Sequence, residues 1–128
     1  MQKNNLKLSF SLLVFLQISS LNASDFASLL FHGNCTTCHI ETEAISAPSV
    51  IEFKNSYLRA FPLRKDFVTY MSQWVKHPTE DTSIMLDAVN KYKLMPELAF
   101  EKSALEDIAG YIYDTDFTKK HKGHKNNF

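Results

Sequence analysis

The stretch FHGNCTTCHIE, residues 31–41, contains both cysteines of the 128-residue chain. Cys35 and Cys38 are separated by two threonines, and His39 follows directly. Two thiols and an imidazole at this spacing can serve as a disulfide, a zinc site, a redox dithiol or a covalent haem attachment site. The sequence on either side of this stretch decides between these four chemistries.

Three of the four chemistries lack supporting residues elsewhere in the chain. A structural zinc site needs four nitrogen or sulfur ligands, and His77, His121 and His124 supply no matching second half. A thioredoxin-like dithiol follows a strand in a βαβ unit, whereas a helical pattern precedes this motif. A disulfide across two residues closes almost no loop, so it would contribute little stability through chain entropy.

The haem interpretation accounts for all three side chains at once. Cys-x-x-Cys-His is typical of covalent attachment of a c-type haem. Cys35 and Cys38 would form the two thioether bonds, and His39 would bind the iron as its proximal ligand. We therefore expect one covalently bound haem c as the cofactor.

Residues 1–23 have the build of a secretory signal peptide. Lys3 and Lys7 form a positive n-region, residues 8–16 form a short apolar h-region, and Ala23 offers a small residue before the cut. An uncleaved membrane anchor is the alternative, but the apolar run is shorter than the roughly 20 residues that a spanning helix needs. Cleavage and a periplasmic location are therefore expected, which agrees with haem attachment outside the cytoplasm.

Charge divides the rest of the chain into an acidic body and a basic tail. Residues 24–116 contain 8 Lys/Arg and 14 Asp/Glu, whereas residues 117–128 contain four lysines, two histidines and no acid. We predict one domain over residues 24–116 and a disordered tail over residues 117–128. The alternative role for the tail is electrostatic docking to an acidic partner or an anionic lipid. No nucleic-acid partner is expected.

Helical periods dominate the domain, and alternating strand patterns are absent, so the sequence predicts an all-α fold. Apolar stripes with start and stop signals predict three helices: Ser24 (N-cap) to Gly33, Asp66 (N-cap) to Pro78, and Glu101–Ser103 to Asp114 with a Ser103–Glu106 capping box. A short helical turn is expected near residues 84–92. Residues 40–65 are expected to form a long loop with room for one helical turn.

A haem iron bound by one histidine takes a sixth ligand unless the site binds a gas or a peroxide. Met71 and Met85 fall in helical patterns and are expected to fill the core, and His77 stands at a helix end. Met95 lies in the loop KYKLMPEL, where Pro96 stiffens the chain directly behind it. We therefore predict Met95 as the sixth ligand, which raises the reduction potential relative to two nitrogen ligands.

The segments CTTCH, LMPEL and LEDIAGYIYD together resemble the class I c-type cytochromes, over about residues 25–116. The resemblance implies a cytochrome c fold, in which three to five helices surround one covalent haem and the first and last helices cross. It implies an aromatic pair at that crossing, formed by Phe31 and Tyr111, with Ala27 where the family usually has glycine. A backbone carbonyl near Pro48 would accept a hydrogen bond from the second ring nitrogen of His39.

The function implied is that of a monomeric, periplasmic one-electron carrier with no catalytic residues. His39 and Met95 would be the axial ligands, and the partners would be redox proteins in transient contact. The alternative is a haem-bearing electron-transfer subunit of a larger oxidase, reductase or sulfur-oxidising complex, with the basic tail and residues 52–67 available for docking to a membrane complex. A peroxidase or gas binder is a third possibility, for which no distal histidine–arginine pair is apparent.

Overall fold

The computed structural model describes residues 22–119, and all the regular secondary structure within that range is α-helical, as the sequence predicts. Five helices follow one another: α1 (Ala23–Asn34), α2 (Val50–Ala60), α3 (Arg64–Lys76), α4 (Leu86–Tyr92) and α5 (Lys102–Asp114). None of these helices is long and apolar enough to cross a membrane. The predicted signal peptide, apart from its last two residues, and the tail from residue 120 onwards lie outside the described residues.

Helix α5 is the centre of the fold, because it contacts both α1 and α3, while α2 contacts α3. Its buried face consists of Leu105, Ile108, Ala109 and Ile112. These positions follow the spacing of one helical face, and the predicted apolar stripe of the last helix is thereby confirmed.

The interface between α1 and α5 is built from aromatic rings. Phe31 is fully buried, with its ring centroid 5.4 Å from that of Tyr111 and 5.5 Å from that of Phe117. Ala27, one turn earlier on α1, is also buried. Phe117 had been expected to begin the disordered tail, but it is buried, so the folded domain includes it. We call Ala27, Phe31, Tyr111 and Phe117 the α1–α5 interface.

The predicted loop over residues 40–65 is wrong in its second half, which forms α2. The Ser49 hydroxyl caps this helix by accepting a hydrogen bond from the Glu52 amide at 3.2 Å. Val50 and Tyr57 on its inner face are buried. Ser49-x-x-Glu52 is a capping-box sequence, and the apolar side chains after it follow a helical period.

Lys54 lies on the half-buried side of α2. Because a charged residue interrupts that side, the apolar stripe of α2 is hard to recognise in the sequence. The Lys54 ammonium group donates hydrogen bonds to the carbonyls of Tyr113 and Thr115 at the end of α5. The last carbonyls of a helix lack partners within that helix and favour a positive charge. A lysine from α2 therefore caps α5.

Two of the three predicted helix starts are wrong by two to three residues, whereas α5 begins at Lys102, within the predicted range Glu101–Ser103. Helix α1 begins before Ser24, and Asn22 occupies its cap position without a side-chain hydrogen bond. Helix α3 begins at Arg64, which places Asp66 in its first turn. The Ser103–Glu106 capping box does not form, because the N-cap is Glu101 and Ser103 lies inside the helix; Glu106 pairs with Lys102 instead.

Candidate functional site

A cavity of about 240 Å³ lies between the helices, and all five contribute side chains to its lining. Most of these side chains are apolar. Cys35, Cys38 and His39, from the turn that follows α1, line the cavity, as does Met95 from the segment between α4 and α5. Every predicted ligand and attachment residue therefore borders one space.

The turn at residues 35–39 continues the winding of α1 and brings its three chemical groups to one side. The Cys35 amide donates to the Phe31 carbonyl at 2.8 Å, and the His39 amide donates to the Cys35 carbonyl at 2.9 Å. The Thr36 hydroxyl donates to the His32 carbonyl at 2.8 Å. In a helical turn, positions three and four residues apart lie on the same face. The spacing Cys-x-x-Cys-His thus directs both thiols and the imidazole towards the cavity.

His39 is held in a single orientation by the chain behind it. Its Nδ1 donates a hydrogen bond to the Pro48 carbonyl at 2.8 Å, so Nε2 is the ring nitrogen with a free lone pair. The Phe53 ring meets the imidazole edge to face, with 5.1 Å between centroids. Burial lowers the pKa of His39, although the hydrogen bond to Pro48 opposes this shift. The neutral imidazole favoured by burial is the form that binds metals.

Backbone hydrogen bonds fix the loop that presents the Pro48 carbonyl. The Val50 amide donates to the Ile40 carbonyl at 3.0 Å, and the Ile51 amide donates to the Glu41 carbonyl at 3.1 Å. The first turn of α2 is thereby joined to the residues directly after His39. The bond that the resemblance implied near Pro48 is present, and a rigid loop supports it.

Both thiols are free, with Cys35 half-buried and Cys38 exposed. Burial raises the pKa of Cys35 to about 11, so this thiol is protonated at neutral pH. Reactive redox cysteines have a lowered pKa and attack as thiolates. The environment of Cys35 therefore gives no support to the redox-dithiol alternative.

Among residues 22–119, no group of three or more His, Cys, Asp or Glu side chains is arranged to hold a metal ion. Of the four candidates for the sixth iron ligand, Met71, Met85 and Met95 all line the cavity. His77 does not line it, and its Nδ1 pairs with the Glu97 carboxylate at the surface. Because His77 does not line the cavity, it is not positioned to serve as the sixth ligand.

Two large aromatic residues, Trp74 and Tyr92, also line the cavity. The indole N–H of Trp74 already donates to the Thr79 carbonyl at 3.1 Å. Sequence reasoning missed Tyr57 and Ser72, two further lining residues that are buried. The capping box of α2 is the signal that would have placed Tyr57 on a helix facing the core.

His32 also has a contact that the sequence does not indicate. Its Nε2 lies 3.2 Å from the Tyr111 hydroxyl, and its ring remains exposed. His32 therefore joins α1 to α5 at the surface.

Comparisons of the chain with protein-family models, with curated proteins and with solved structures found no match.

Proposed function

We propose that this protein is a monohaem c-type cytochrome that carries single electrons in the periplasm. A haem c would be bound through thioethers to Cys35 and Cys38, with His39 and Met95 as axial ligands. The observation that carries the proposal is that these four side chains line one apolar cavity.

The residues at the cavity fit such a group chemically. Both thiols and the imidazole come from one turn, and the bond from Nδ1 of His39 to Pro48 leaves Nε2 for the iron. Thioether sulfur from Met95 is a soft ligand that suits haem iron. When bound, the haem would supply a one-electron couple between ferric and ferrous iron.

The arrangement of the first and last helices supports a cytochrome c fold. The contact between Phe31 and Tyr111 is the one that the family resemblance implies, and Ala27 is buried on the same face of α1. Five helices surrounding one apolar cavity agree with the three to five helices expected.

The protein's own residues would hold the site still and keep water away from it. The Pro48 carbonyl fixes the tautomer and orientation of His39, and hydrogen bonds of this kind tune a metal site. The apolar lining lowers the local dielectric constant, which is one of the means by which a protein sets a reduction potential. Axial side chains held in fixed positions favour electron transfer, because little has to move between the two oxidation states.

A carrier is preferred over a fixed subunit partly because of residues 52–67. Docking to a membrane complex through this stretch is an expectation from the sequence, but the stretch forms most of α2 and the start of α3. Its Tyr57 and Phe67 are buried in the domain. A subunit of a larger complex would co-migrate with partners from the membrane fraction at moderate salt, whereas a carrier would be released as a monomer.

The proposal is tested by the visible spectrum and intact mass of the purified mature protein. We expect the mass of one covalent haem and a weak methionine-to-iron charge-transfer band in the oxidised state. Met95→Ala should abolish the band, while Met85→Ala and Met71→Ala should retain it. If Met85→Ala alone abolished the band, the ligand would be Met85.

The same spectrum distinguishes a carrier from an enzyme or gas sensor. A high-spin spectrum with rapid carbon monoxide binding would indicate an open iron position and overturn the carrier proposal. Absence of any covalent haem in a protein expressed with a haem attachment system would overturn it entirely.

A further inference from the structure

The segment that carries Met95 has little structure of its own. Residues 93–101 connect α4 to α5 without forming a helix or strand. A hydrogen bond from the Phe100 amide to the Leu98 carbonyl, 2.8 Å long, lies within it. A connection of this kind moves readily unless other parts of the protein hold it.

Two consecutive side chains at the end of α3 hold this segment. The Lys76 ammonium group donates to the Phe100 carbonyl at 2.5 Å, in a half-buried position. His77 Nδ1 pairs with the Glu97 carboxylate, where both side chains are exposed. Glu97 is two residues after Met95, and Phe100 is five residues after it. Helix α3 thus contacts the segment twice on the carboxyl side of the methionine.

The amino side of the segment starts from a constrained backbone. Lys93, directly after α4, has φ 77° and ψ 168°, a region that residues other than glycine rarely occupy. Such a conformation persists only when the surrounding structure holds it. Met95 therefore lies between a constrained turn at Lys93 and the two contacts from α3.

We propose that Lys76 and His77 are positioning residues that keep Met95 at the cavity by clamping residues 97–100 to α3. This inference rests on the proposed function, in which Met95 binds the haem iron. Neither side chain touches the cofactor site, since neither lines the cavity. Lys76 acts through the Phe100 carbonyl, and His77 acts through the Glu97 carboxylate.

The clamp predicts how readily another ligand displaces Met95. Imidazole can bind the iron only after Met95 has left it, so the displacement rate reports how often residues 93–101 open. Loss of a charge-assisted, half-buried hydrogen bond in Lys76→Met should raise this rate about tenfold. Loss of an exposed pair in His77→Ala should raise it about threefold.

The experiment uses the oxidised protein with its haem attached and follows the charge-transfer band after mixing with imidazole. The matched controls are Arg59→Met, which removes a basic side chain that donates to Ser56 within α2, and His32→Ala, which removes the contact with Tyr111. Both controls should keep the wild-type rate. Lys76→Arg retains a donor and should restore most of the slow displacement.

Thermal unfolding of each variant separates positioning from general stability. A clamp requires that Lys76→Met and His77→Ala displace faster than a control of equal melting temperature. Wild-type rates in both variants, or equal acceleration in His32→Ala, would overturn the clamp and leave the ligation intact. If Lys76→Met fails to fold, His77→Ala and Glu97→Gln at the exposed pair decide the question.

Failure of the proposed function has a different signature. A wild-type protein without the charge-transfer band, or a Met95→Ala variant that keeps it, would overturn Met95 as ligand. The clamp inference would then fall with it, before any displacement rate is measured.

Discussion

The α1–α5 interface and the cavity are the two halves of one apolar interior, and they are stabilised differently. At the interface, Phe31 is fully buried and its ring contacts those of Tyr111 and Phe117. Around the cavity, side chains border a shared space, and hydrogen bonds at its margin hold them. The bonds from His39 to Pro48 and from Lys76 to Phe100 are of this second kind.

This difference indicates that the interface supplies most of the stability, whereas the cavity margin orients side chains. Close contact between protein side chains stabilises the interface by burial and dispersion. Side chains that line the cavity all point into the same space, so hydrogen bonds that fix their orientation matter more there than close packing against one another. Substitutions at the interface should therefore change the free energy of unfolding most, and those at the cavity margin should change it less.

Phe31→Ala should have the largest effect on stability. Removing a fully buried ring from contact with two other aromatic residues costs about 3–5 kcal/mol of unfolding free energy. Phe26→Ala, on the same helix, is the matched control, because Phe26 is 49 % exposed and should cost less than about 1 kcal/mol. Urea titration measures both values. Equal losses of unfolding free energy in Phe31→Ala and Phe26→Ala would show that the α1–α5 interface is not the main source of stability.

Lys54→Met should come next. The substitution keeps an apolar stem but removes the hydrogen bonds to the carbonyls of Tyr113 and Thr115. Hydrogen bonds from a charged donor contribute about 1.5–3 kcal/mol, so a loss of about 2 kcal/mol in unfolding free energy is expected. Lys65→Met, at an exposed position on α3, should be neutral. A neutral Lys54→Met would mean that water caps α5 equally well.

Lys93→Gly is a substitution at the cavity margin that should increase the free energy of unfolding, in contrast to the two substitutions above. Glycine adopts positive φ without steric cost, so the variant should gain about 1 kcal/mol of unfolding free energy. Lys91→Gly, in the last turn of α4, should instead lose up to about 1 kcal/mol. Chemical denaturation of the pair would reveal the contrast. Destabilisation by both glycines would argue against strain at Lys93.

The smallest expected effect concerns acid sensitivity at the end of α5. The Arg64 guanidinium donates hydrogen bonds to both oxygens of the Asp114 carboxylate, the shortest from Nη2 at 2.8 Å, and these lower the pKa of Asp114. Because the folded pKa lies below the unfolded value of about 3.9, the pair stabilises the fold above that pH. Its contribution is lost as the pH falls through the folded pKa.

Asp114→Asn should therefore lose at most about 1 kcal/mol at neutral pH, since both partners are half exposed to screening solvent. As the pH falls through the lowered folded pKa of Asp114, the variant and the wild-type protein should converge in stability. Asp107→Asn, exposed on the same helix, serves as the control in thermal melts across this pH range. A difference between Asp114→Asn and wild type that persisted in acid would exclude the ion pair as its cause.

Local sequence was sufficient for the parts of the fold whose causes are local. Helices α3 and α5 follow from apolar stripes that recur every three to four residues, and the grouping of Cys35, Cys38 and His39 follows from their spacing in one turn. Helix α2 was missed because Lys54 interrupts its apolar face. The reason for that lysine lies at Tyr113, 59 residues further along the chain.

The contacts at the margin of the candidate site could not be predicted from local sequence either. Nothing near Lys76 in the sequence indicates that its partner is the carbonyl of Phe100, 24 residues away. His77 looked like a helix-end residue and a weak ligand candidate, and its pairing with Glu97 depends on how two segments meet in space. Motifs predict which residues have chemistry, whereas the contacts that orient them depend on the fold.

The contact between α1 and α5 also bears on the order in which the chain can fold. His32 and Tyr111 are 79 residues apart, and Phe31 beside His32 is buried by residues from the same late part of the chain. During synthesis, Phe31 cannot reach its final surroundings until α5 has emerged. Contacts between distant residues form slowly, because a long loop must close first. The turn with Cys35 and Cys38 directly follows Phe31, so the Cys35 thiol, which is half-buried in the folded domain, stays fully accessible until the last helix arrives.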